Sequence, residues 1–346
     1  MERFMSVKKR IHLFIVCIYI FFCSKIEAAV ILQYHHVSDS LPRVTSLNED
    51  EFRAHLLHLK QSNYTVVSLH SIISAIKQQK NISDKTVALT FDDGFINNFE
   101  QAAPILAEFK YPYTIFVNPQ LIDQQKGYVM TWQQLRELTK KGADIANHSA
   151  KHDYLHIRLE NETLAQWRKR ITQDILHSEK RIQQEIGHHF KYLAYPYGEF
   201  NSELQRLVAE LGFVGIGQHS GAVGLHTDLT RVPRFPASGI YSDLETLKTK
   251  IASLPFSFKV NVDSVTKSAK PTMTVRFIEK DFNNKQLNCF VSGQGLAKLI
   301  WQDEYTVTVS ANSPLPKGRS RFNCTAPSIS NPGRFLWLSQ PWILQT

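Results

Sequence analysis

Seven short apolar runs, spread over residues 29–254 with helical patterns between them, restrict what this chain can fold into more than any other feature of it. The runs are Val30–Tyr34, Tyr64–Ser68, Thr86–Phe91, Tyr113–Val117, Asp144–Asn147, Tyr192–Tyr195 and Phe213–Ile216. Each is short and closed by polar residues or glycine, as strands are. Between them, Glu49–Gln61 sets Phe52, Leu56 and Leu59 on one helical face. Thr131 is placed to cap Trp132–Lys141 ahead of Gly142, and Glu160–Ile186 reads as a long helix stopped by Gly187. Strand and helix in alternation call for a parallel sheet with helices outside it, and about seven units suffice to close or nearly close a barrel. The expected fold class is therefore α/β, a distorted (β/α) barrel of about seven parallel strands. Chemistry in such folds gathers at the carboxyl ends of the strands. His35, Asp92, Asp93, His148 and Tyr197 all sit just after a candidate strand.

After residue 254 the texture changes. Lys259–Val262, Thr272–Ile278, Cys289–Val291, Glu304–Val309 and Arg334–Leu338 read as short strands among Asn, Lys, Ser, Pro and Gly, with one helical turn near Leu296–Trp301. Residues 255–346 are thus expected to form a small all-β, sandwich-like domain. Trp301, Trp337 and Trp342 are candidates for a sugar platform, although core packing is the more ordinary role of Trp.

At the other end, Arg3, Lys8, Lys9 and Arg10 precede the apolar stretch Ile11–Cys23, and Ile26-Glu27-Ala28 offers a cleavage point. This layout predicts a secretory signal over residues 1–28 and a protein that is periplasmic or secreted, since the stretch is shorter than the roughly 20 residues of a membrane span. Ile26 is a mediocre residue for a signal peptidase, so an uncleaved amino-terminal anchor is the alternative reading. Removing residues 1–28 takes away five basic and two acidic residues and leaves a balance of +6 instead of +9. Such a field suits work near the anionic polymers of a cell envelope. No basic block or aromatic-interleaved stripe points to nucleic acid. Cys17 and Cys23 lie in the export segment, which leaves Cys289 and Cys324, expected to be bridged in an oxidising compartment.

The chemistry is concentrated in two places. Asp92-Asp93-Gly94 ends an apolar run, and His148-Ser149-Ala150-Lys151-His152 follows another. Together they supply three metal ligands and a spare carboxylate, the set required for metal-assisted hydrolysis: a cation to polarise a carbonyl and acidify water, and a base to take the proton. A carboxylate with two imidazoles leaves coordination positions open, as catalytic sites do. Histidines four apart project the same way if the segment begins a helical turn, and Asn147 and Ser149 are placed to orient them. Singly, an Asp-Asp-Gly is more often a solvated turn and a His pair more often helix surface. The conjunction carries the argument.

Thr90-Phe91-Asp92-Asp93-Gly94, His148 to His152 and Tyr195-Pro196-Tyr197-Gly198 resemble the first three motifs of the polysaccharide deacetylases, carbohydrate esterase family 4, also called the NodB homology domain; the third match is partial. The resemblance spans roughly residues 29–254. It implies that Asp92 is the general base, that Asp93, His148 and His152 hold zinc (with cobalt, nickel or ferrous iron as alternatives), and that the Tyr197 N–H helps to hold the oxyanion. Two departures stand out. Ala194 occupies the position of an Arg that steadies the catalytic Asp in the broader family, and the late Leu-x-His motif is not evident. The opening Leu32-Gln33-Tyr34-His35-His36-Val37 instead resembles the subgroup that de-N-acetylates exported poly-β-1,6-N-acetylglucosamine in biofilm formation. By that resemblance His35 is the general acid, with His219 as its competitor, and Arg234 replaces the missing Arg. The implied activity is removal of N-acetyl groups from an N-acetylhexosamine polysaccharide. Peptidoglycan, chitin oligomers or an O-acetylated glycan are alternative substrates, and a carbohydrate-binding protein with a decayed site is the rival from another class. Glycan linkage, metal identity and oligomeric state are left open by the sequence.

Overall fold

Every strand pairing in the larger sheet is parallel, as continuous apolar runs separated by helices require. The computed structural model describes residues 28–188 and 190–345; the expected secretory signal, except Ala28, lies outside the described residues. The strands are β1 (Ala29–Tyr34), β2 (Thr65–Val66), β3 (Thr86–Phe91), β4 (Tyr113–Val117), β5 (Ala143–Asn147), β6 (Tyr192–Ala194), β7 (Val214–Ile216) and β8 (Phe235–Pro236). They run in the order β8-β1-β3-β4-β5-β6-β7, with β2 added to β3. β1 and β3 form the spine, in register from Ala29↔Thr86 to Tyr34↔Phe91. The two ends of this path are not paired strand to strand among the described residues; an isolated Ile216↔Val232 bridge ties β7 to the segment before β8, and the sheet makes a half-barrel.

Helices α1 (Glu49–Gln61), α2 (Leu69–Lys77), α3 (Ala103–Phe109), α4 (Pro119–Asp123), α5 (Trp132–Thr139), α6 (Leu164–Ile186), α7 (Ser202–Glu210) and α8 (Leu244–Ile251) lie between and after these strands. Local caps fix their ends. Asn48 and Glu51 form a capping box on α1. α6 begins at Leu164 and not at Glu160, because Thr163 takes the cap position and bonds reciprocally with Gln166. α5 stops two residues short of the expected Lys141.

The remainder is all β. The strands are β9 (Leu254–Pro255), β10 (Phe258–Val260), β11 (Val265–Thr266), β12 (Thr272–Phe277), β13 (Asn288–Val291), β14 (Gly295–Leu296), β15 (Lys298–Trp301), β16 (Thr306–Ser310), β17 (Gly318–Pro327) and β18 (Phe335–Leu344). One sheet runs β9-β18-β17-β13-β14 with β11 on β18, the other β10-β12-β16-β15. Two expectations are corrected here. Leu296–Trp301 is strand, not helical turn, because Leu299 and Trp301 alternate inward beside β16. β17 and β18 form a ladder running from Gly318↔Leu344 to Pro327↔Phe335, which interrupting Asn, Pro and Ser residues conceal in the sequence. Cys289 and Cys324 are disulfide-bonded across directly opposed positions of β13 and β17. Val275, Val307, Phe322 and Trp342 belong to an apolar core distinct from those of the barrel.

The β module is seated against the half-barrel. Trp337 meets Phe235 edge-on at 5.2 Å, and Arg334 donates to Ala252 O at 2.7 Å and to Asp84 at 2.8 Å. Between the two bodies lies a cavity of about 710 Å³ lined by residues that include His219, Arg231, Phe258, Arg276 and Trp337. Among the described residues no helix is long and apolar enough to cross a membrane.

Candidate active site

The turn after β3 separates two adjacent carboxylates. The Asp92 N–H still donates to Tyr34 O at 3.0 Å, extending the ladder by one residue. Asp93 and Gly94 then turn left-handed, at φ 70° and 63°. A Cβ on Gly94 would come within 3.0 Å of Val117 Cγ1, so the close approach to β4 also demands glycine.

Asp92 is fully buried. Arg234, one residue before β8, reaches it with both guanidinium nitrogens, at 2.7 Å to Oδ1 and 2.8 Å to Oδ2. Gln33 of β1 donates to Oδ2 at 2.7 Å, and His35 Nε2 lies 4.0 Å from the same oxygen. Three donors thus occupy three of the roughly four lone-pair directions of the carboxylate. Burial alone would raise the pKa of Asp92, but the Arg234 guanidinium, followed by His148, holds it well below the usual carboxylate range. Arg234 is itself held by Gly217 O at 2.8 Å and Thr90 Oγ1 at 3.1 Å.

Asp93 faces the histidines. The segment after β5 is a loop and not the helical turn that the spacing suggested: Ser149 and His152 are left-handed at φ 67° and 66°. Asn147 Oδ1 accepts from Ser149 N–H at 2.9 Å, and Ser149 Oγ accepts from His152 N–H at 3.1 Å. This folds the loop so that the two rings lie 4.8 Å apart. Their Nε2 atoms stand 3.4 Å (His148) and 3.3 Å (His152) from the same Asp93 Oδ1.

This donor set fits a divalent cation. His148 Nδ1 lies 2.8 Å from Ala194 O, and a carbonyl only accepts, so the proton sits on Nδ1 and Nε2 carries a lone pair. That Nε2 is buried without a hydrogen bond and faces a carboxylate oxygen. Two acceptors turned toward each other in a buried place need positive charge between them. The same demand shows in the titration of the ring: burial works against protonation of His148, yet Asp93 and Asp92 outweigh it and raise its pKa. Burial and the neighbouring His148 lower His152 to about 4, leaving a neutral imidazole at physiological pH. One ligand atom from each of Asp93, His148 and His152 lies within 4.8 Å of the others.

Tyr197 follows β6 in a tight turn and is left-handed at φ 59°, ψ 2°. Gly198 N–H donates to Tyr195 O at 2.8 Å and Glu199 N–H to Pro196 O at 3.1 Å, whereas the Tyr197 N–H has no acceptor among the described residues. Its ring meets His152 at 4.3 Å and stacks on Tyr154 at 4.1 Å, which fixes the turn beside the candidate metal ligands.

His219 is elsewhere. It packs on Phe200 at 5.9 Å and lines the cavity between barrel and β module, and burial drives its pKa well below the ordinary histidine value. The structure brings His35, Asp92, Asp93, His148, His152, Tyr197 and Arg234 to one rim and leaves His219 out of it. Sequence reading missed Gln33, Tyr154, Glu199 and Arg319. Gln33 had a signal, as the polar member of the apolar run Ala-Val-Ile-Leu-Gln-Tyr; the others had none.

A family model described as polysaccharide deacetylase matches residues 79–216. The chain is 23% identical over 242 residues to the poly-β-1,6-N-acetyl-D-glucosamine N-deacetylase of Escherichia coli (strain K12), covering 59% of this chain and 36% of that protein. It is 24% identical over 196 residues to the protein of the same name from Staphylococcus aureus (strain MSSA476), covering 55% and 67%. The chain thus spans between about a third and two thirds of the length of the curated relatives it matches. Among solved structures, the Streptococcus pyogenes deacetylase PplD in complex with acetate superposes with a TM-score of 0.57 at 22% identity, over 65% of this chain and 98% of that one. IcaB from Ammonifex degensii gives 0.55 at 21% identity, over 64% and 95%. These structures share the half-barrel fold. The matched residues include the strand ends that bear Asp92, Asp93, His148 and His152, so it is over the residues of the candidate site that the chain is similar to the polysaccharide deacetylases.

Proposed function

We propose that this protein is a metal-dependent hydrolase that removes N-acetyl groups from an N-acetylhexosamine polysaccharide outside the cytoplasm, with a polymer of the poly-β-1,6-N-acetylglucosamine kind as its substrate. In this reading residues 1–28 direct export, residues 29–254 perform the reaction and residues 255–346 are an accessory domain. The observation that carries it is the division of labour between neighbouring carboxylates: Asp93 converges with His148 and His152, while Asp92 is held apart by Arg234 and Gln33. The relatives named for deacetylation of that polymer support the choice of substrate.

A zinc or similar ion on Asp93, His148 and His152 would supply Lewis acidity toward an acetamide carbonyl and a neighbouring water. Asp92, kept ionised by Arg234, takes the proton of the attacking water. The free Tyr197 N–H donates to the oxygen on which negative charge develops, a contribution of about 3 kcal/mol for a well-placed donor. His35, whose Nε2 lies 4.0 Å from the Asp92 carboxylate, passes a proton to the departing amine. Arg234 and Gln33 keep Asp92 aimed and deprotonated.

Acetate release from a panel of acetylated glycans, with chelator and then with zinc or cobalt restored, tests the proposal. Release should require the metal and fall about 10²- to 10⁴-fold in Asp92→Asn with metal content unchanged. Asp93→Asn should lose both. Undiminished metal in that variant refutes the ligand assignment, and binding of glycan without any release favours a decayed, carbohydrate-binding protein.

A further inference from the structure

Arg319 carries the β module to the candidate rim. Arg319, on β17, donates from Nη1 to Tyr197 O at 3.0 Å and places Nε 3.6 Å from Glu199 Oε1. We propose that Arg319 is a positioning residue that locks the oxyanion turn, so that the module completes the active site; this rests on the functional reading given above.

The argument lies in the peptide that Arg319 grips. The Tyr197–Gly198 peptide is clamped at both ends, its N–H by Tyr195 O at 2.8 Å and its C=O by Arg319. With that plane fixed, the left-handed φ of 59° at Tyr197 sets the direction of the preceding N–H, the one donor of the turn with no acceptor among the described residues. A tyrosine in that region of backbone space is strained by about 1–3 kcal/mol and persists only where its surroundings impose it. The turn itself supplies one hydrogen bond, and the module supplies the other.

A second link ties the same arginine to the metal-binding loop. Glu199, nearly buried, lies between Arg319 and His156, whose Nε2 is 3.6 Å from Glu199 Oε2. His156 ends the stretch that begins with His148 and His152, and Tyr154 of that stretch stacks on Tyr197. Arg319 therefore touches the oxyanion turn directly and the ligand loop through one carboxylate.

Docking of the module does not depend on Arg319. Arg334 with Asp84 and Ala252 O, Trp337 with Phe235, and Asp263 Oδ2 with Ser202 N–H at 3.3 Å hold the two bodies together elsewhere. Arg319 is also 60% exposed along its side chain, so its removal leaves no cavity.

The test uses the full chain with Arg319→Ala and Arg319→Lys. In Arg319→Ala, kcat for acetate release should fall about five- to ten-fold with KM within about two-fold, the pattern of lost transition-state stabilisation. Arg319→Lys, which keeps a donor, should recover part of the loss. Metal content and melting temperature should not move, and backbone hydrogen exchange over residues 195–201 should quicken in Arg319→Ala. An unchanged kcat in Arg319→Ala, or a rise in KM alone, overturns the proposal, the latter by making Arg319 a substrate contact. If the unmodified protein releases no acetate from any glycan, the functional reading fails, and the exchange rates still decide the clamp: unchanged protection in Arg319→Ala ends it.

Discussion

At the scale of single residues, Asp92 and Arg234 form a pair in which neither partner is tolerable alone. Both are fully buried, and replacing Arg234 by Gln leaves a carboxylate in the barrel interior without its cation. The expected cost is about 3 kcal/mol of stability, measurable in urea unfolding. The same substitution should change the pH profile in a defined sense. Arg234 depresses the Asp92 pKa, so without it the pKa rises and the acid limb of kcat/KM moves toward neutral pH. An acid limb that stays in place would show that Asp92 is not the base. Much of this was legible in the sequence, because the candidate ligands and the candidate base lie in contiguous motifs that close apolar runs. The His148–His152 spacing suggested a helical turn that is not there: the loop brings the two rings together with left-handed Ser149 and His152. Arg319 and Tyr197 are 122 positions apart, and no local pattern of charge or hydropathy announces their contact.

At the scale of elements, helix α1 shows how a cap can carry a tertiary tie. Glu51 closes the capping box with Asn48 while pairing with Arg43 at 2.6 Å and accepting from Ser242 Oγ at 3.1 Å. The Arg43 hydrogen bonds, with those of Asn48 and Ser242, outweigh the effect of burial and lower the Glu51 pKa from 4.5 to about 2. A carboxyl group with a depressed folded pKa contributes stability that is complete above its unfolded value and is lost as pH falls through the folded one. Thermal melting of the unmodified protein should therefore decline between pH 4.5 and about 2 more steeply than that of Glu51→Gln. Equal slopes would remove Glu51 from the account. Helices with clear caps and strands with long apolar runs were readable to within a few residues. β2 falls inside the expected run Tyr64–Ser68, whereas the two-residue strand β8 was not readable, since it holds to β1 by only two register pairs.

At the scale of the whole molecule, two bodies with separate apolar cores share one active-site rim. The Cys289–Cys324 bridge closes a sequence separation of 35 within the smaller body and should stabilise it by about 3–4 kcal/mol. Reduction should lower the unfolding free energy of the module by that amount, and its denaturant midpoint with it, while the barrel transition stays in place. A single transition that shifts as a unit would mean that the bodies unfold together. Order of synthesis gives the sheet a further property. β1 and β3 emerge early and bring Asp92 into the interior, but Arg234 arrives more than a hundred residues later, at the entry to β8, the neighbour of β1 on its other side. Until that last strand docks, the nascent barrel harbours an anion without its cation, so an amino-terminal fragment stopping short of Arg234 should settle into the native sheet less firmly than the finished chain does.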